Sequence, residues 1–330
     1  MKVSTSDPKT PSSLSQRAGR GLHRFALFTS FATWILIWAG GLVTSTDSGL
    51  AVPDWPLSYG MLMPPMIGGI LYEHGHRMVA TTVGLLTVAL ALWLWRSETR
   101  QWLRRLGAVA LAMVTTQGIL GGITVLYLLP TPVSVAHATL AQTFFCVTVL
   151  IAFATSREWQ RAEPAPELPS SLRRLALVTT GAVYTQLVLG AVVRHTGAAL
   201  SIPDFPLAFG RVIPPLTDPL VVIHFAHRTG AALVTVLSAL LAFRVLRLRT
   251  SPVMHRLSRP VILLLALVAL QILLGALTVW SQTAVVPATA HVATGALVLA
   301  TTWLLSLRAL LYVKRGSEHR VATVAATQEA

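Results

Sequence analysis

The sequence predicts an all-α membrane protein of eight transmembrane helices, arranged as two tandem, pseudo-symmetric four-helix bundles with both termini cytoplasmic. Three observations predict it. First, 54% of the residues are hydrophobic and only 12% charged, against roughly one quarter charged in soluble domains, and the mean hydropathy is +0.65. Second, apolar runs close to the roughly twenty residues that cross a hydrocarbon core recur at 25–45, 71–95, 106–126, 135–155, 175–194, 220–243, 260–280 and 287–313. Third, the chain repeats itself at about half its length.

Residues 1–24 form a basic tail carrying Lys2, Lys9, Arg17, Arg20 and Arg24. The first span is too long for a signal-peptide core and no Ala-x-Ala cleavage site follows it, so it is expected to stay as a helix. Arg96, Arg100, Arg104 and Arg105 follow the second span, and Arg157, Arg161, Arg173 and Arg174 follow the fourth. Arg244, Arg247, Arg249, Arg256 and Arg259 follow the sixth, and Lys314, Arg315 and Arg320 the eighth. The intervening loops hold few cations, chiefly Arg194 and Arg211. The net charge of +14 therefore reads as positive-inside topology, not as a nucleic-acid surface. The N-terminal half spans 25–155 and the C-terminal half 175–313. The polar, Pro-rich segment 156–174, with Glu163-Pro-Ala-Pro-Glu-Leu-Pro169, is expected to be the cytoplasmic linker between them. Residues 314–330 form the closing cytoplasmic tail, and 1–20 and 316–330 read as disordered. The single cysteine, Cys146, lies in the fourth span, which excludes an intramolecular disulfide and reads as a buried structural thiol.

Gly40-Gly-Leu-Val-Thr-Ser-Thr-Asp-Ser-Gly-Leu-Ala-Val-Pro-Asp-Trp-Pro-Leu-Ser-Tyr-Gly60 returns as Gly190-Ala-Val-Val-Arg-His-Thr-Gly-Ala-Ala-Leu-Ser-Ile-Pro-Asp-Phe-Pro-Leu-Ala-Phe-Gly210. Glu73-His-Gly-His-Arg77 returns as His224-Phe-Ala-His-Arg228, and Gln117-Gly-Ile-Leu-Gly-Gly-Ile-Thr124 as Gln271-Ile-Leu-Leu-Gly-Ala-Leu-Thr278. An even number of spans per half makes this a parallel repeat. The long outward loops 46–70 and 195–218, with Trp55, Tyr59, Phe205 and Phe209, are expected to cap two sites or to form an ordinary aromatic belt.

His76, His137, His227 and His291 fall on the even-numbered spans at one depth. An ionisable residue inside a span is costly and so points to function. Two imidazoles per half, without thiolates or dense carboxylates, suit axial ligation of heme iron, whereas zinc would want more ligands. Arg77 and Arg228 adjoin the first histidine of each pair and would either meet heme carboxylates or snorkel to headgroups. Glu73 shares a helix face with His76 and Arg77, while His74 points elsewhere. His224 stands where the first half has Glu73. That asymmetry assigns the chemistry to the N-terminal half, with a simple Glu73–Arg77 ion pair as the alternative.

On the Glu-His-x-His-Arg stretch, the paired Pro-Asp-Trp/Phe-Pro loops and the histidine on each even-numbered span, the chain resembles the heme A synthase family over about 25–313. The resemblance implies oxidation of the C8 methyl of heme O to the formyl of heme A, by successive hydroxylations and loss of water, for terminal oxidases. It further implies that His76 and His137 flank the substrate heme O, that Glu73 assists, and that His227 and His291 hold a permanent heme b. Many relatives carry a cysteine pair in the outward loops, but this chain has Val52, Ser58, Ile202 and Ala208 there, so no cysteine step is expected. The absence of an evident transit peptide points to a bacterial inner membrane. Hand-over from a heme O synthase, an electron donor the residues do not name, and a homo-oligomer are the partner questions raised. A diheme electron-transfer cytochrome b and a transporter are the rival classes, distinguished by heme conversion and by heme content.

Overall fold

The computed structural model describes residues 13–160, 168–248 and 252–328. Its long helices are α1 (Ser13–Ser45), α2 (Gly68–Ser97), α3 (Gln101–Leu126), α4 (Thr131–Ala154), α6 (Ser170–His195), α7 (Pro219–Arg247), α8 (Pro252–Trp280) and α9 (Val285–Gln328), with a one-turn α5 (Arg157–Gln160) between the halves. Among the described residues, eight helices are long and apolar enough to cross a membrane. The described residues contain no strand, as a bilayer demands of a chain whose backbone groups must be satisfied within each segment. Side-chain hydroxyls obey the same demand. Thr29, Ser30, Thr33, Thr44, Thr87 and Thr143 each donate to the carbonyl four residues earlier, so none needs water.

Helices α1, α2, α3 and α4 close a ring in which each packs on the next and α4 returns to α1. Helices α6, α7, α8 and α9 close a second ring in the same order. In each ring the two histidine-bearing helices, α2 and α4 or α7 and α9, lie diagonally across the centre. The rings meet through α1, α4, α6 and α9. Trp34 donates to the Ala293 carbonyl, Trp303 to the Cys146 carbonyl, and the Thr143 and Tyr184 hydroxyls meet at 2.8 Å. At the other side of the seam, Arg308 forms a two-pronged pair with Glu158 of α5, which Tyr312 joins.

The expected spans are all helical, but several ends move. Helix α1 begins at Ser13 and α9 runs on to Gln328, within the stretches 1–20 and 316–330 expected to be disordered; residues 1–12 and 329–330 lie outside the described residues. The stretch after Gly316 is rich in helix-forming Ala, Arg, Glu and Gln and carries no proline. The linker expected at 156–174 contains α5 and the first turn of α6, and residues 161–167 lie outside the described residues. Arg194, expected among the loops, occupies the last turn of α6 and donates to Gly41 O and Ser45 Oγ of α1. Cys146 is a free, partly buried thiol beside the core of the second ring.

Candidate functional site

Each of the four histidines leans on a glycine of an adjacent helix. A Cβ at Gly40, Gly190 or Gly275 would stand 3.1 Å from Cε1 of His76, His227 or His291, and one at Gly121 would stand 3.4 Å from Cε1 of His137. The missing side chain lets each imidazole lie close against a helix backbone. In the second ring the His227 and His291 ring centres are 6.4 Å apart with planes at 65°. A metal–imidazole bond of about 2 Å on each side, plus the ring-centre-to-nitrogen distances, sums to roughly six ångström, so one iron fits between them. Two imidazoles at this separation are also a donor set that heme iron takes.

The Nδ1 atoms differ between the rings. Gln186 Nε2 lies 2.9 Å from His227 Nδ1 while donating to the His227 carbonyl at 2.8 Å. His291 Nδ1 donates to Gln271 O at 3.1 Å. His76 Nδ1 is buried and has no hydrogen-bond partner, whereas His137 has the Gln117 backbone beside it, as His291 has that of Gln271.

The loops between α1 and α2, and between α6 and α7, fold back over these positions. Val52 N–H donates to Glu73 Oε2 at 2.7 Å, and Arg77 Nη2 meets Glu73 Oε1 at 2.6 Å. Arg77 Nη1 also donates to the Asp54 and Leu57 carbonyls at 2.8 Å each. In the second half Ile202 N–H points to His224 Nδ1, and Arg228 reaches His224 Nε2, Leu207 O and Ile202 O. The two arginines are thus bonded to loop carbonyls, and Glu73 forms the ion pair that the sequence raised as the alternative. His74, expected off the histidine–arginine face, meets Ser58 Oγ of the loop at 2.8 Å. Ala208 and Phe225 replace that polar pair with an apolar contact in the second half.

Within each loop an aspartate closes the turn. Asp54 accepts from Tyr59 N and Gly60 N, and Asp204 from Phe209 N and Gly210 N. The Gly60 amide, then that of Tyr59, holds the Asp54 carboxyl below its ordinary value, and the Gly210 and Phe209 amides do the same for Asp204. The Trp55 ring lies against Gly122, where a Cβ would overlap it. This puts the indole one residue along α3 from the glycine that backs His137. Phe205 instead packs edge-on to Trp280, centroids 6.0 Å apart.

Sequence reasoning missed the four glycines and Gln186. Gly40, Gly121, Gly190 and Gly275 lie inside the duplicated motifs, so their recurrence was the available signal. Gln186 has no counterpart in the first half and gave none.

A family model of cytochrome oxidase assembly proteins matches residues 69–303. A heme A synthase from Symbiobacterium thermophilum is 38% identical over 267 residues, covering 78% of this chain and 85% of the relative. The heme A synthase of Halalkalibacterium halodurans is 31% identical, covering 66% of this chain and 74% of its own, and that of Geobacillus kaustophilus 29% identical, covering 82% and 86%. The matched region contains both histidine pairs, Glu73, Arg77 and the second loop clamp, and the chain belongs to the COX15-CtaA family of cytochrome oxidase assembly proteins.

Proposed function

We propose that this chain is a heme A synthase of a bacterial plasma membrane, oxidising the C8 methyl of heme O to the formyl of heme A. The observation that carries the reading is the unequal pair Glu73 and His224, at matched positions in two otherwise parallel halves. His76 and His137 hold the substrate heme O in the first ring, and His227 and His291 hold a heme b in the second. Heme b, when bound, supplies one-electron transfer. Glu73 keeps a carboxylate one helical turn from His76, where it can take up a proton or stabilise positive charge on the substrate. Its two oxygens are oriented by Val52 and Arg77. Arg77 and Arg228 place positive charge at the rim where heme carboxylates would find it, while fixing the loops. Trp55 covers the His137 side of the first site and limits its access to water.

The distribution of basic residues supports cytoplasmic termini, with the two sites towards the outer surface. Heme O is membrane-borne, so delivery from a heme O synthase through the bilayer suits a site set within the spans. The test is to supply heme O to aerated membranes containing the protein, with an electron donor in one arm and an electron acceptor in the other, and to identify the product by mass. A formyl-bearing heme formed by the wild type and not by Glu73→Gln, with heme still bound in the variant, is the expected result. Normal turnover in Glu73→Gln would remove Glu73 from the reaction, and absence of product in the wild type would favour an electron-transfer cytochrome.

A further inference from the structure

The two rings treat their histidines differently, and the difference resides in side chains that the duplication aligns. Gln186 stands four residues before Gly190, and Leu36 four residues before Gly40. Gly230 stands three residues after His227, and Val79 three residues after His76. A Cβ at residue 230 would overlap Gln186 Oε1, so a side chain there would push the amide out of this position. Gln186 with Gly230 is therefore one matched set, and Leu36 with Val79 the corresponding apolar set. The outcome is visible at Nδ1 of the first histidine of each pair, engaged by Gln186 in His227 and without a partner in His76.

We infer that Gln186, admitted by Gly230, is a positioning residue that fixes His227 as a permanent axial ligand, and that its replacement by Leu36 leaves His76 able to release a heme. The inference rests on the heme reading above and adds to it the cause of unequal residence at the two sites. A hydrogen bond at the second nitrogen of a ligating histidine fixes the ring's orientation and raises its basicity. Iron on Nε2 leaves the proton on Nδ1, so the amide serves the ligating ring by turning its Oε1, which is buried without a partner, towards Nδ1. That half-turn exchanges the Nε2 bond to the His227 carbonyl for the bond to the ligand. A site that takes in substrate and gives up product gains from a looser ring, whereas a resident relay does not.

The experiment uses the purified full-length protein with its hemes, challenged with excess apomyoglobin, and records both heme b release and the midpoint potential of the low-spin heme. Gln186→Leu and Gly230→Val are expected to release heme b about 10–100-fold faster than wild type. Their midpoint should rise, because a less basic ligand stabilises ferric iron less. Gln186→Glu is expected to retain heme and shift the midpoint downward, since a carboxylate is the stronger acceptor. Packing damage alone would move the Leu and Glu variants in the same direction, and that result overturns the inference. So do unchanged release and potential in both. Should Gln186→Leu fail to fold, the paired change Leu36→Gln with Val79→Gly tests the same point: slower release from the first site supports it, and unchanged release overturns it. A wild type without bound heme b would overturn the heme reading itself.

Discussion

Glu73 and His224 do the same structural work in the two halves: each receives a backbone N–H of the folded-back loop, from Val52 in one case and Ile202 in the other, and each is met by the arginine four residues on. A carboxylate accepts both hydrogens and neutralises the guanidinium. A neutral imidazole has a single acceptor nitrogen and serves only one of the two donors fully. The first loop is therefore clamped by charge and the second by geometry and apolar contact.

Removing Arg77 should loosen the first loop selectively. Arg77→Ala takes away bonds to the Asp54 and Leu57 carbonyls and leaves Glu73, only 4% accessible, without its cation. Breaking a buried pair from one side costs about 3–5 kcal/mol, and the partial exposure of Arg77, 16% accessible, places the effect near the lower end. Limited proteolysis should then cut within 46–67 in Arg77→Ala and within 196–218 in Arg228→Ala. Equal resistance of both variants to wild-type levels would contradict the clamp.

The glycine supports make a graded series. Gly190→Ala and Gly275→Ala bring a methyl to 3.1 Å from their histidines, and Gly121→Ala only to 3.4 Å. Overpacking costs about 1–3 kcal/mol, enough to lower heme b content several-fold in the first two. Gly40→Ala should impair conversion while sparing heme b, and Gly121→Ala should be the mildest of the four. Pyridine hemochrome content per protein and heme A yield measure both effects.

Acid should spare the loop turns. Asp54 and Asp204 titrate below their ordinary value of 3.8, chiefly because of the Gly60 and Gly210 amides. A depressed carboxylate contributes stability at pH above its unfolded value, and loses it only as pH falls through the lower folded value. Amide protection at Tyr59 and Gly60 should therefore persist down to about pH 4 and vanish at neutral pH in Asp54→Ala. Loss of protection in wild type between pH 6 and 5 would show that another group controls the turn.

Much of this was legible before any coordinates. The eight spans follow from hydropathy alone, because a bilayer leaves a chain few other solutions. The histidines and Glu73 stood out because ionisable groups in apolar runs are rare and these four histidines recur in register. Helix ends were less legible, since α1 and α9 continue past the apolar runs on helix-forming polar residues. The loop roles of Arg77 and His74 were hidden because their partners, Leu57 and Ser58, lie sixteen to twenty residues away in sequence. Gln186 was illegible for a different reason. A lone glutamine in a span has meaning only once its helix is set against His227 and Gly230.

The central claim is that the first ring converts one heme while the second retains another, and pigment analysis tests it most directly. The protein would be co-expressed with a heme O synthase and purified, and its extracted hemes identified by chromatography and mass. The account predicts heme A with heme b in the wild type, and heme b without heme A in His76→Ala. Heme A persisting in His76→Ala, or heme b alone in the wild type, would contradict it.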